Sequence, residues 1–391
     1  MKFAIITHVQ HIKNDSQYFG YAPYIREMNI WLRYVDKVIV VAPLVDNELN
    51  LIHAQYHHSN LHFTSVPEFN VTSISNIFKT LIKLPKVFSS VYSAMHHADH
   101  IHLRCPGNMG LIGAIVQILF PNKPKTAKYA GNWDPKSQQP WSYRLQKWIL
   151  SNTFLTRNMQ VLVYGEWPNQ TKNIKPFFTA TYSEEEIGRL GDWENLRLGE
   201  FEIGRLGDEE MGRRGDDVKF LFVGTLSPGK QPLYAIQLVE EFHKKGKKVT
   251  LELYGEGVLR KELELYIAQN NLESIVTLKG NQSKDTVLKG YQNSHFLILP
   301  SKSEGWPKVV AEAMFWGCVP IASPVSCISY MMGNGNRGIV LQEVLNQDVS
   351  QIITIIKDQD LYQKMAFEGQ TWSRQFTTDK FEAEIKKLLR E

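Results

Sequence analysis

The stretch from Leu299 to Cys318 restricts the fold of this chain more than any other. Before it runs His295-Phe-Leu-Ile-Leu299, a short apolar run that reads as a buried strand, and after it Val319-Pro-Ile-Ala322 reads as the next. Between them the sequence predicts a loop and then a helix. Pro307 suits the first helical position, where its missing N–H would have had no intrahelical partner. Gly317 suits the exit, where a left-handed residue is usual. Val309, Val310, Ala313 and Met314 fall on one helical face that can pack on a sheet.

Two carboxylates flank the helix entry: Glu304 in the loop and Glu312 about one and a half turns into the helix. The N–H groups at a helix start, with the helix dipole, form a natural anion site. Such a loop, at the C-terminal edge of a strand, can hold a molecule bearing phosphates and hydroxyls. The N–H groups face the phosphates and the carboxylates accept from sugar hydroxyls. The structural alternative is a solvated surface helix whose two Glu bind nothing. The strand–loop–helix context favours the binding reading.

With 391 residues the chain has room for two ordinary domains, and its 43% apolar content is that of a globular protein. No run approaches the ~18 apolar residues of a membrane span. Gly110 to Phe120 is too short and reads as a core helix. Met1 to His8 reads as a first strand and lacks the apolar core and cleavage site of a signal peptide. The cysteines, Cys105, Cys318 and Cys327, show no C-x-x-C spacing, so neither a disulfide framework nor a zinc site is expected. The cytoplasm is the expected location.

Charge is uneven. Residues 1–180 carry 18 Lys and Arg against 9 Asp and Glu, residues 181–217 carry 5 against 12, and residues 218–391 carry 21 against 19. A basic N-terminal half suits an anionic partner such as lipid phosphate, a membrane face or nucleic acid; ordinary surface lysine is the bland alternative.

Lys2 to Thr7 and Lys37 to Ala42 read as strands joined by a helix from Pro23 to Arg33, a βαβ unit with a right-handed crossover. His8 to Tyr21 reads as a long loop at the ligand-binding edge of the first strand. The histidines between His53 and His102 could suggest metal, but their irregular spacing without an acid or Cys cluster favours solvated side chains. The adjacent pairs His57-His58 and His96-His97 would point to opposite faces of a strand. Asp99 to Arg104 and Lys125 to Ala130 read as strands whose ends, Cys105-Pro-Gly-Asn108 and Gly131-Asn-Trp-Asp134, lie on the ligand side. Arg104, Asn108, Asn132 and Trp133 are therefore acceptor-side candidates. Pro140 to Leu150 mixes aromatic residues and positive charge on a helix, which either lies on a membrane face or is half core and half surface.

Residues 186–217 form four tandem octads beginning at Glu186, Glu194, Glu202 and Glu210. Eight residues is short for a stacking repeat. Paired glycines and high charge favour a low-complexity insertion in an inter-domain linker over an acidic arm bound to the basic half. A second domain then opens with the strand Val218 to Val223. Gly224-x4-Gly229-Lys230 lacks only the final hydroxyl residue of a phosphate loop. Gln231 cannot replace that magnesium ligand and no later strand ends in a metal-holding Asp, so an NTPase is not expected.

Glu304-Gly-Trp-Pro-Lys-Val-Val-Ala-Glu312 resembles the E-x7-E signature of retaining nucleotide-sugar glycosyltransferases of family 4. The similarity runs over nearly all of Val218 to Leu341 and more loosely over the N-terminal half. It implies a GT-B fold, two Rossmann-like α/β domains facing a central cleft. The expected organisation is an acceptor-side domain at 1–180, a linker at 181–217, a nucleotide-sugar domain at 218–370, and a helix at 371–391 packing back toward the first domain. By this resemblance Glu304 lies by the donor sugar and Glu312 holds the ribose. Gly224, Thr225, Lys230, Gly255, Gly305, Trp306, Pro307, Lys308 and Val309 complete the donor site, with Glu304 and Lys230 as the catalytic pair.

Two positions depart from the family. Thr225 replaces an arginine of the diphosphate loop, at a loss of about 1.5–3 kcal/mol for such charge-assisted bonds. Asn132 replaces a histidine near the donor sugar. The implied reaction transfers sugar from a nucleotide diphosphate to an acceptor hydroxyl with retention, in cell-surface polysaccharide or glycolipid synthesis. It needs no metal or other cofactor and no nucleic acid. The partners are the nucleotide-sugar, a glycan or lipid-linked acceptor, and the membrane at its inner face. The alternatives are a non-catalytic nucleotide-sugar-binding partner in a polysaccharide assembly, or a GT-B-fold nucleotide-sugar epimerase.

Overall fold

The computed structural model describes residues 1–50, 52–67, 74–188 and 217–390. The octads from residue 189 to 216 lie outside the described residues. The chain divides into two compact units, Met1–Phe178 with Phe381–Glu391, and Thr179–Lys380.

In unit 1 the elements run β1 (Lys2–Ile6), β2 (His11–Asn14), β3 (Gln17–Tyr21), α1 (Ala22–Leu32), β4 (Lys37–Val45), β5 (His53–Gln55), β6 (Leu61–Val66), α2 (Ile74–His97), β7 (His100–Cys105), α3 (Asn108–Val116), β8 (Lys125–Tyr129), α4 (Trp141–Ser151), β9 (Met159–Tyr164) and β10 (Ile174–Phe177). The parallel strands lie in the order β6-β4-β1-β7-β8-β9-β10. The chain thus builds outward from β1 in one direction and, from β7 on, in the other. The switch falls between β1 and β7, whose register pairs Phe3 with His100 and Ile6 with Leu103. Apolar runs such as Phe3–Ile6 and Val38–Ala42 are buried, as parallel strands covered on both faces require.

The expected loop from His8 to Tyr21 is instead an antiparallel hairpin, β2 against β3, that extends the sheet beyond β4. Asp15 turns the chain with a left-handed φ of 52°, a conformation Asp tolerates better than most residues, so no glycine marks the turn. His96 and His97 end a helix and are not on a strand.

In unit 2 the order is α5 (Glu184–Gly188), β11 (Val218–Val223), α6 (Pro232–Lys244), β12 (Val249–Tyr254), α7 (Arg260–Gln269), β13 (Val276–Gly280), α8 (Lys284–Asn293), β14 (Phe296–Leu299), α9 (Lys308–Phe315), β15 (Val319–Ala322), α10 (Ile328–Met331), β16 (Ile339–Val340), α11 (Leu345–Lys357) and α12 (Gln359–Ser373). A final helix, α13, spans Thr378–Arg390, and from Phe381 its residues cluster with unit 1. There Phe381 packs against Phe177 and Phe178. The sheet of unit 2 is wholly parallel in the order β13-β12-β11-β14-β15-β16, the doubly wound arrangement, with its switch point between β11 and β14.

The helix that follows β14 starts one residue later than expected. Pro307 is the N-cap of α9, with a non-helical ψ of 87°, and Gly317 leaves the helix with φ 72°. Val310, Ala313 and Met314 are buried against the sheet while Val309 is half-buried. No helix among the described residues is long and apolar enough to cross a membrane.

Candidate functional site

Open α/β sheets bind ligands outside the carboxyl ends of their strands, at the switch point. In unit 2 that point is flanked by the Gly224–Gln231 loop after β11 and the Pro300–Pro307 loop after β14. The two loops are tied directly: the Lys302 N–H donates to the Gly229 carbonyl at 2.9 Å. From them Lys230 and Glu304 meet, Nζ to Oε1 at 2.5 Å. The Glu304 side chain is 8% exposed and that of Lys230 29%, so the pair sits at the surface of the site with its cation outward.

The Gly224–Lys230 loop is held from beneath by Gly255 and Gly257. The Gly224 N–H donates to the Tyr254 carbonyl and the Leu226 N–H to the Glu256 carbonyl, both at 2.9 Å. A Cβ on Gly255 would stand 1.9 Å from the Gly224 carbonyl oxygen, and one on Gly257 2.3 Å from that of Leu226. Gly255 thus shapes the loop that carries Lys230. Thr225 is exposed on the same loop. On the facing loop the Gly305 carbonyl accepts from Ser326 Oγ at 3.1 Å and Cys327 Sγ at 3.2 Å. Burial pushes the Cys327 thiol up to about 12, so it stays protonated and donates. Trp306 is buried against Trp372 and Phe376 and anchors the loop.

Glu312 on α9 is gripped by two protein donors that the sequence did not indicate. Thr181 Oγ1 donates to its Oε1 at 2.7 Å and Tyr291 OH to its Oε2 at 3.0 Å. Burial, with the Glu312 charge beside it, holds the Tyr291 hydroxyl well above its ordinary range and keeps it a donor. A narrow crevice of about 10 Å³ beside Glu312 is lined by Thr181, Lys308 and Ser373 among others.

The acceptor-side candidates lie in unit 1. Arg104, the penultimate residue of β7, pairs through Nη1 with Glu27 at 3.3 Å. Asn108 begins α3, just past the cis Cys105–Pro106 bond. Asn132 Oδ1 accepts from the Asp134 N–H at 2.8 Å, which folds its loop. Trp133 does not reach solvent. It is 2% exposed in the core, and its indole N–H donates to Gln170 Oε1 at 2.9 Å. Its place in the sequence put it on the right edge of the sheet, but the side chain turns inward. Among the described residues no group of three or more His, Cys, Asp and Glu is placed to hold a metal ion.

These two doubly wound units are those of a GT-B glycosyltransferase fold. Residues 208–372 match the family described as Glycosyl transferases group 1. The chain is similar to HepE of Anabaena, solved with UDP and glucose (18% identity, TM-score 0.66, covering 100% of this chain and 99% of that one). It is likewise similar to the sucrose-phosphate synthase of Thermosynechococcus elongatus (17% identity, TM-score 0.63, 100% and 98%). Among curated proteins it resembles an uncharacterized glycosyltransferase of Methanocaldococcus jannaschii, 27% identical over 44% of this chain and 47% of the relative. It also resembles the alpha-D-kanosaminyltransferase of Streptomyces kanamyceticus, 24% identical over 37% and 38%. The match thus spans about half the length of these curated relatives or less. The matched family and the curated relatives are glycosyltransferases, and the solved structures share the fold.

Proposed function

We propose that this chain is a retaining glycosyltransferase of the family 4 type, moving a sugar from a nucleotide diphosphate to an acceptor hydroxyl. The observation that carries the reading is the meeting of Lys230 and Glu304 at the switch point of unit 2, with Glu312 on the helix that follows. Lys230 and the N–H groups at the start of α9 stabilise the charge that develops on the leaving diphosphate. Glu304 orients the donor sugar and Glu312 accepts from the ribose. In a front-face attack the leaving phosphate takes the acceptor proton, so no second carboxylate nucleophile and no metal are needed. Unit 1 takes the acceptor, a glycan or lipid-linked saccharide of cell-surface polymer or glycolipid synthesis. Exposed Trp141 and Trp148 on α4, in a segment with one carboxylate between Asp99 and Glu166, support contact with the inner face of a membrane. HepE was solved with UDP, which makes uridine nucleotides the first donors to test.

The rival reading, a non-catalytic nucleotide-sugar-binding partner, draws on Thr225 and Asn132. The test is thermal-shift binding against UDP-, GDP-, ADP- and TDP-sugars and ATP, followed by assay of nucleotide release. A shift with one nucleotide-sugar and release of its diphosphate supports the transferase. Binding without release in the presence of acceptor extracts selects the rival, and a shift with ATP and magnesium alone overturns both.

A further inference from the structure

Unit 1 has a switch point of its own, between β1 and β7, and the polar groups gathered there are of a particular kind. Arg104 leaves β7 with its side chain 14% exposed. Its guanidinium lies over the Tyr24 ring at 5.3 Å, and Tyr24 in turn neighbours Tyr56, hydroxyl to hydroxyl, at 3.5 Å. Glu27 approaches Arg104 at 3.3 Å but approaches Lys128 more closely, at 2.9 Å. Lys128 is fully buried, with its ammonium also donating to the Phe178 carbonyl at 3.1 Å and facing the rings of Tyr164, Phe177 and Phe381. One carboxylate therefore serves two cations, and it serves the inner one better.

His8, the second residue after β1, closes the group from the other strand. A Cβ on Gly107 would fall 2.8 Å from its Nδ1, so the ring lies against the turn that follows β7. The side chain is exposed, and partial desolvation with the Arg104 charge lowers its pKa, so at neutral pH it adds no second cation. Among the described residues, Glu27 is the carboxylate paired with Arg104, and the Tyr24 ring beside it is neutral at pH 7. A planar guanidinium that meets Glu27 through Nη1, on a side chain partly open to solvent at a switch point, can match the oxygens of a phosphoryl group with its remaining N–H donors.

We infer that the acceptor carries a phosphoryl group, which Arg104 binds with His8 beside it. This rests on the reading of unit 1 as the acceptor side. A phosphate ester in solution and a lipid phosphate share that chemistry, and the test separates them.

Binding would be measured for glycerol 3-phosphate, and for vesicles of phosphatidylcholine with or without phosphatidic acid. A Lys230→Ala background removes the candidate diphosphate cation. Glycerol 3-phosphate or the phosphatidic acid vesicles should bind, glycerol and pure phosphatidylcholine should not, and Arg104→Gln should weaken binding at least tenfold. Arg104→Gln should fold, because Glu27 keeps Lys128; should it not, Arg104→Lys keeps the charge, loses the fork and should still bind more weakly. Binding unchanged in these variants, or none with either phosphate source, overturns the inference. The outcomes are independent of the donor panel. Nucleotide-sugar binding without a phosphate response leaves the transferase standing and removes this site. A phosphate response at Arg104 in a chain that binds no nucleotide-sugar overturns the acceptor assignment.

Discussion

Lys230 Nζ and Glu304 Oε1 lie 2.5 Å apart across the switch point of the second sheet, joining loops 74 residues apart in sequence. The pair holds the two loops in register with the Lys302–Gly229 backbone bond. On the proposed reading, a diphosphate arriving at Lys230 would take over one of its three donors and free Glu304 to accept from the sugar. On that reading the two side chains hold each other in place until a donor binds.

Lys230→Ala should weaken nucleotide-sugar binding about 10–100-fold, the worth of charge-assisted hydrogen bonds to one cation. Glu304→Ala should leave nucleotide diphosphate binding within a few-fold and stop turnover. Calorimetric titration with the diphosphate and with the intact nucleotide-sugar, beside a nucleotide-release assay, checks both. Equal binding and activity in both variants would remove the pair from the site.

The Glu312 carboxylate gives a second prediction. Tyr291 is fully buried and its hydroxyl donates to Glu312, so Glu312→Ala strands that donor. The expected cost is about 1–3 kcal/mol of stability in addition to weaker nucleotide binding. Thr181→Ala removes the other donor while leaving the carboxylate, so it should leave nucleotide binding equal or tighter. A lower melting temperature with unchanged nucleotide affinity in Glu312→Ala would make Glu312 a structural residue alone.

Much of this arrangement was legible in the sequence, and the reasons for the rest are physical. Apolar runs bounded by turns marked β1, β4, β14 and β15, because strands of a parallel sheet are buried on both faces. The Glu304–Glu312 spacing and the punctuation by Pro307 and Gly317 marked α9 to within one residue. The β2–β3 hairpin stayed hidden because its turn uses Asp15 in place of glycine. Thr181 and Tyr291 reach Glu312 from 131 and 21 residues away, and no local pattern records such a contact. Trp133 shows the limit of reading strand ends. Position along the strand gives the edge of the sheet but not which way a side chain turns.

Acid should weaken unit 1 in a defined window. Burial lowers His11 and His100 to about 4 and His102 to about 3, all from an ordinary 6.5. His100 and His102 both meet the Thr126 hydroxyl, at 3.0 and 2.8 Å. Between those values the unfolded chain binds protons that the folded one refuses. The stability they support is complete above pH 6.5 and is lost as pH falls toward 4, by about 3 kcal/mol for a single such histidine. Denaturation midpoints should be flat near pH 7–8 and fall from pH 6.5 to 4. His11→Phe keeps a ring stacked on Tyr56 and should make the fall shallower by about one proton. A profile as steep in this variant as in the wild type would contradict the assignment.

The last prediction concerns Gly255, which the family resemblance places among the donor-binding residues. Its φ of 144° lies where side chains are strained, and a Cβ there would meet the Gly224 carbonyl oxygen at 1.9 Å. Gly255 is also bonded to Gly280, its N–H donating to that carbonyl at 2.8 Å, so its backbone cannot move freely away. Gly255→Ala must therefore push the start of the Gly224–Lys230 loop outward. The expected loss is about 2–4 kcal/mol, from backbone strain and the steric clash together. Because Lys230 rides on that loop, nucleotide affinity should fall as well, although no atom lost by the substitution touches the donor. Gly229→Ala on the same loop meets nothing within 4 Å and should change stability little. If Gly255→Ala melts and binds nucleotide as the wild type does, the loop is not held from beneath, and Gly255 has no part in positioning Lys230.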